Sequence, residues 1–117
     1  MDNKALSLEV FKTLDDNKGH NIKVLDVKEL TSIADYFIIA TGTSTRHATS
    51  LAESVEEELS KIGFDTAHKE GYRTGEWILL DYIDVIVHVF TEETRDFYKL
   101  EKMWKDAEIL DISVDTF

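Results

Sequence analysis

The sequence predicts a single α/β domain, a five-stranded mixed β-sheet with helices packed on it. Three observations carry this prediction. Segments with helical apolar periodicity alternate with short runs rich in β-branched and aromatic residues. Several of those runs are apolar on both faces, which places them inside a sheet covered on two sides. A chain of 117 residues with 43% apolar content suffices for one core. No linker, repeat or low-complexity tract divides residues 1–117, so they are read as one unit, with an acidic tail over 108–117 expected to fray.

The elements follow in order. Asp2 is placed to cap a first helix in which Leu6, Val10, Phe11 and Leu14 recur at helical spacing until Asn17-Lys18-Gly19 stops it. Residues 22–27 and 36–41 read as strands. The connection from Leu30 to Asp35 is too short for a crossover helix, which leaves an antiparallel pair or an irregular joint open. Ser44 is a good N-cap for a second helix whose stripe of Ala48, Leu51, Ala52, Val55, Leu59 and Ile62 runs to Gly63. Its other face carries Glu53, Glu56, Glu57 and Glu58, a solvated surface with a Glu57–Lys61 pair available. Residues 64–69, 76–81 and 85–90 give the third, fourth and fifth strands, the last two as a hairpin. Thr91 then caps a third helix, acidic at Glu92 and Glu93 as the macrodipole favours, with Phe97, Leu100 and Trp104 as its packing seam. Tyr98 falls outside that seam by roughly 100° of arc.

Composition excludes several function classes. Thirteen Lys and Arg against 24 Asp and Glu give a net charge of −11. That field opposes approach to phosphate backbones and anionic lipid, so neither direct RNA binding nor membrane attachment is expected, and a basic protein is the natural partner. The absence of cysteine rules out disulfides, thiolate metal sites and a cysteine nucleophile. Met1-Asp2-Asn3-Lys4 leads directly into the first helix without a signal-peptide core, and no run is long enough to span a bilayer, so the cytoplasm is the expected compartment.

Residues that could carry chemistry each have a simpler reading. Gly42, Thr43, Ser44, Arg46 and His47 stand where a strand ends and a helix opens, a candidate anion site. The turn lacks a P-loop lysine and the glycines of a dinucleotide fingerprint, so plain N-capping is favoured. His20, His47, His68 and His88 share no ligand spacing, and neither a metal nor a cofactor is expected. His88 alternates with Ile86 and Phe90, as a buried, hydrogen-bonded imidazole would; the functional alternative is a switch or base near neutral pH. Asp81 and Asp84 flank the hairpin turn and satisfy turn chemistry without a metal. Trp77 and Leu79 share one strand face. Left without a helical cover they would join Tyr98 in an apolar patch edged by Asp81, Glu101 and Lys102, the composition of a protein interface. For Trp77, packed core and interface both stay open.

Three stretches together resemble the Iojap or ribosomal silencing factor family, over nearly the whole chain. ADYFIIATGTSTRHA, residues 34–48, carries the family's Asp35, Tyr36, Thr41, Gly42, Thr43, Ser44, Arg46 and His47. EGYRTGEWILLDYIDVIVHVF, residues 70–90, carries Glu70, Gly71, Trp77, Asp81, Asp84, Val85, Val87 and His88. FYKLEKMWKDA, residues 97–107, carries Tyr98, Leu100, Glu101, Trp104 and Asp106. Ile83 departs from the pattern, since the family commonly has glycine there, so a different hairpin turn is expected. The resemblance implies a nucleotidyltransferase-like core without transferase activity. It further implies binding to the large ribosomal subunit through ribosomal protein fourteen, which blocks joining of the small subunit, represses translation and bears on large-subunit maturation. A true nucleotidyltransferase would carry paired carboxylates on the strand after its Gly-Ser turn, whereas Asp65 stands alone here. The alternative is a small nucleotide-binding module, or a degenerate nucleotidyltransferase, using the Thr41–His47 turn. Whether the free protein is a monomer or a homodimer stays open.

Overall fold

The computed structural model describes residues 1–110 and 112. Its elements are α1 (Asn3–Asp16), β1 (His20–Asp26), β2 (Tyr36–Gly42), α2 (Thr45–Lys61), β3 (His68–Glu70), β4 (Trp77–Asp81), β5 (Val85–Thr91), α3 (Glu92–Tyr98), α4 (Leu100–Met103) and β6 (Glu108–Ile109). The predicted α/β class is borne out, with a six-stranded sheet in the order β3-β4-β5-β2-β1-β6. β2 and β5 run parallel at its centre, while every other neighbouring pair is antiparallel, including β1 with β2.

Two of the three expected caps act as their chemistry dictates, whereas Thr91 stands at the N-cap position of α3 with its hydroxyl 2.9 Å from Thr94 Oγ1 and makes no capping bond to a helix amide. The Asp2 carboxylate accepts from Ala5 N at 2.7 Å and the Ser44 hydroxyl from His47 N at 3.0 Å, each satisfying a donor that the first helical turn cannot pair internally. Alternation along the strands then builds two cores. Tyr36, Ile38, Ala40, Val85, Val87, Val89, Ile78 and Leu80 face α1 and α2 in one cluster. Leu25, Phe37, Ile39, Ile86 and Phe90 face the other way, where Leu100, Trp104 and Ala107 pack over them. This second face is the one the C-terminal segment must cover.

Three expectations need correction. The third strand is only His68–Glu70. Phe64 N still donates to Leu59 O, closing α2, and pairing towards β4 begins with Ala67 N on Asp81 O. The third helix is not continuous either. Lys99 takes the left-handed conformation at φ 48, closes α3 by donating to Arg95 O, and the chain restarts as the single turn of α4. The helical phase is therefore reset, and Phe97, assigned to a packing seam, is 79% exposed while Leu100 and Trp104 do pack beneath the sheet. Finally, the tail expected to fray contributes β6, which pairs Leu25 with Ile109 and Asp26 with Glu108 as a sixth strand. Leu110 N adds a bond to Val24 O. Residues 111 and 113–117 lie outside the described residues.

Candidate functional site

β4 pairs antiparallel with β5, setting Trp77 opposite Phe90 and Leu79 opposite His88. A two-residue diagonal on the same sheet face then brings the Trp77 indole over the imidazole. Trp77 Nε1 donates to His88 Nδ1 at 3.1 Å, and His88 is 6% exposed, so the expectation of a buried, hydrogen-bonded histidine holds. Burial lowers its pKa to about 4. Rings continue on both sides: Phe37 meets His88 edge-on at 5.6 Å and Trp104 at 5.0 Å. Outward, Trp77 meets Tyr98 at 4.8 Å and Tyr98 meets Phe97 at 5.0 Å. The row Trp104, Phe37, His88, Trp77, Tyr98, Phe97 thus passes from the core to solvent, where Tyr98 is 51% and Phe97 79% exposed.

The candidate surface residues divide into three groups. Trp77 and Tyr98 are in ring contact, and Leu79 is half-buried on the same sheet face. Asp81 stands at the far end of β4, about 13 Å from Trp77 at the usual rise per residue, and its Oδ1 accepts from Ile83 N at 2.7 Å. Glu101 and Lys102 line a separate cleft beside α3. There the Glu101 carboxylate takes Arg95 Nε at 2.7 Å on one oxygen and Lys23 Nζ at 2.9 Å on the other. Burial raises its pKa, but these two hydrogen-bonded cations outweigh burial and hold it below the usual carboxylate range.

The Thr41–His47 turn is closed on itself. His47 Nδ1 accepts from Thr43 N at 2.9 Å, its Nε2 lies 3.0 Å from Asn17 O, and Ser44 caps α2 through the His47 amide. Two of the amides a phosphate would use are thereby occupied, while Arg46 is exposed on the first turn of α2. Gly42 is required for this closure, because a Cβ there would stand 2.6 Å from Ala48 N. Among the described residues no group of three or more His, Asp or Glu side chains is arranged to hold a metal. No helix among them is long and apolar enough to cross a membrane.

Arg95 was not visible in the sequence as a site residue. It lies among Glu92, Glu93 and Asp96, which reads as a solvated charged turn, yet it is 6% exposed. Its Nη1 donates to Asn21 O at 2.7 Å and to Thr41 Oγ1 at 2.8 Å, tying α3 to β1 and β2. The one available signal was position. The fourth residue of a helix that leaves a buried central strand is carried back over the sheet.

Comparison with known proteins adds the family. Residues 1–116 match the description "Ribosomal silencing factor during starvation", RsfS. A protein of Chromobacterium violaceum named ribosomal silencing factor RsfS is 40% identical over 104 residues, covering 89% of this chain and 85% of that one. The mouse protein named "Mitochondrial assembly of ribosomal large subunit protein 1" is 30% identical over 105 residues, covering 84% of this chain and 46% of that one. A crystal structure of a Chromobacterium violaceum protein superposes with a TM-score of 0.88 at 38% identity, covering 97% of this chain and 94% of that one.

Proposed function

The chain belongs to the RsfS family of ribosomal silencing factors, whose role is regulatory, and from that premise we propose that it silences ribosomes by steric occupancy of the large subunit. The proposed contact is ribosomal protein fourteen, met by Trp77, Leu79 and Tyr98 as apolar anchors, with Asp81 at the far end of β4 and Glu101 and Lys102 on the cleft beside α3 as its polar outskirts. While bound there, the domain excludes the small subunit and needs neither catalysis nor a cofactor. The same occupancy would attend large-subunit maturation, a reading supported by the assembly role in the name of the mouse relative.

The observation that carries the proposal is the aromatic row. Tyr98 leaves half its surface in water although Trp77 fixes its ring, and Phe97 and Met103 at 73% exposure extend the apolar surface around α3 and α4. Rigid aromatics with a polar edge are what interface hot spots are built from. The net charge of −11 favours encounter with a basic ribosomal protein.

Sedimentation with purified large subunits tests the reading. The protein should co-migrate at about one copy per particle, and particles loaded before small subunits are added should fail to join them. Failure to co-migrate, or inhibition at amounts far below the number of ribosomes, would refute occupancy.

A further inference from the structure

A cleft of about 530 Å³ lies between the ends of β1 and β2 and the α3–α4 segment. Arg95 contributes to its lining. Nε of the guanidinium is committed to Glu101 and Nη1 to Asn21 and Thr41, but among the described residues Nη2 has no partner although it is sealed from solvent. A buried charged donor left unpaired is costly, and folded chains rarely keep one without a use. Lys99 and Lys102, both exposed, also line the cleft, as does Thr43.

We propose that this cleft binds a small phosphorylated molecule, anchored by Arg95 Nη2, with Lys99 and Lys102 closing on it from the rim. Guanidinium pairs with tetrahedral oxyanions through directed N–H donors, and flexible lysines complete the charge compensation. Three acids share the lining, Glu92, Asp96 and Glu101. Both oxygens of Glu101 are already held by Arg95 and Lys23, so its charge is compensated within the fold. Glu92 and Asp96 are exposed, where solvent and salt screen their charge. The volume falls in the range of pockets that enclose a nucleotide-sized ligand and exceeds what a bare phosphate fills. Because Nη2 is sealed in the unliganded fold, ligand entry requires a local rearrangement of the cleft wall that uncovers it. This site lies beside the closed Thr41–His47 turn and uses none of its amides. Glu101 and Lys102 also belong to the proposed partner surface, so an occupied cleft competes with the large subunit; that coupling rests on the reading above.

The test is a titration of the full ¹⁵N-labelled chain with pyrophosphate at low salt, with citrate as a carboxylate comparison. Amide shifts should saturate and cluster at 41–43 and 95–102. Binding should weaken tenfold or more in Lys99→Ala/Lys102→Ala, whose exposed positions leave the folded spectrum intact, and also in Arg95→Lys. Scattered shifts, no saturation, unchanged affinity in the double variant, or citrate binding as tightly as pyrophosphate would each overturn the site. If these tests fail while large subunits are still bound, only the ligand site falls. If pyrophosphate binds but leaves subunit sedimentation unchanged, the competition is wrong. If large subunits are not bound at all, the interface reading falls and the site stands.

Discussion

Trp77 Nε1 donates to His88 Nδ1 across the β4–β5 ladder at 3.1 Å. An indole nitrogen only donates, so Nδ1 carries a lone pair and the imidazole is neutral. Protonating Nδ1 would break this bond inside the second core and release the ring that supports Tyr98.

Stability should therefore fall with acid in a defined window. The His88 pKa drops from 6.5 to about 4 on folding because burial disfavours the cation. Above pH 6.5 both states are neutral and stability is fully present; as pH falls towards 4 the unfolded chain takes up the extra proton and stability is lost. The loss amounts to about 3 kcal/mol across the window. Urea melts at intervals from pH 7 to 4.5 on the parent and His88→Gln should show a shallower slope in the variant. Equal slopes would mean that carboxylates alone set the acid dependence.

The β4–β5 turn stores strain at one residue. Ile83 adopts φ 76 and is 63% exposed, while its amide is held by Asp81 Oδ1 at 2.7 Å. A β-branched residue in the left-handed region costs about 1–2 kcal/mol. Ile83→Gly removes that cost and gives back part of it through the freer unfolded chain, a net gain of about 1 kcal/mol. A thermal melt checks the sign, and a lower midpoint for the variant would show that Ile83 packs in a way its exposure conceals.

Much of this architecture was legible because local chemistry and global fold agree. Asp2 and Ser44 sit where caps belong, the stripe of Leu51, Val55 and Leu59 faces inward, and β2 is buried along its whole length. What was illegible depended on backbone torsion or long-range contact. The left-handed Lys99 resets the helical phase, and no glycine or asparagine announces it, so periodicity alone puts Phe97 inside although it is exposed. Ile83 takes a positive φ that glycine adopts far more readily, a torsion that no local pattern around a β-branched residue announces. β6 is two residues long and exists only because β1 offers an edge. Arg95 is buried by partners 54 and 74 residues away in sequence, beyond any periodicity argument.

Charge should act mainly on encounter. With a net −11 on this chain, association with the proposed basic ribosomal protein should slow as salt rises from low to physiological strength, while dissociation from the proposed aromatic contact changes less. Stopped-flow mixing with isolated ribosomal protein fourteen reads both rates. A flat on-rate with a salt-dependent off-rate would sink the steering argument.

Tyr98 offers the sharpest separation of binding from folding. Its ring rests on Trp77 at 4.8 Å but half its surface faces water, so Tyr98→Ala should cost folding only about 1 kcal/mol, the worth of an aromatic pair. As a hot spot it should cost binding about 2 kcal/mol or more, roughly thirtyfold in affinity. Leu100→Ala should behave in the opposite way. Leu100 packs on the second core but is only half-buried, so the loss of stability should fall near or below the lower end of the 2–5 kcal/mol range of full core truncations, about 2 kcal/mol, with less effect on affinity once the protein is folded. Phe97→Ala distinguishes the broken helix from a continuous one. At 79% exposure it should cost no more than about 1 kcal/mol, the worth of its edge-on contact with Tyr98, whereas a buried seam phenylalanine would cost about 3–5 kcal/mol. Melts and large-subunit titrations on the three variants decide together: if Tyr98→Ala binds like the parent, or loses affinity only in proportion to unfolding, the interface does not lie on this face.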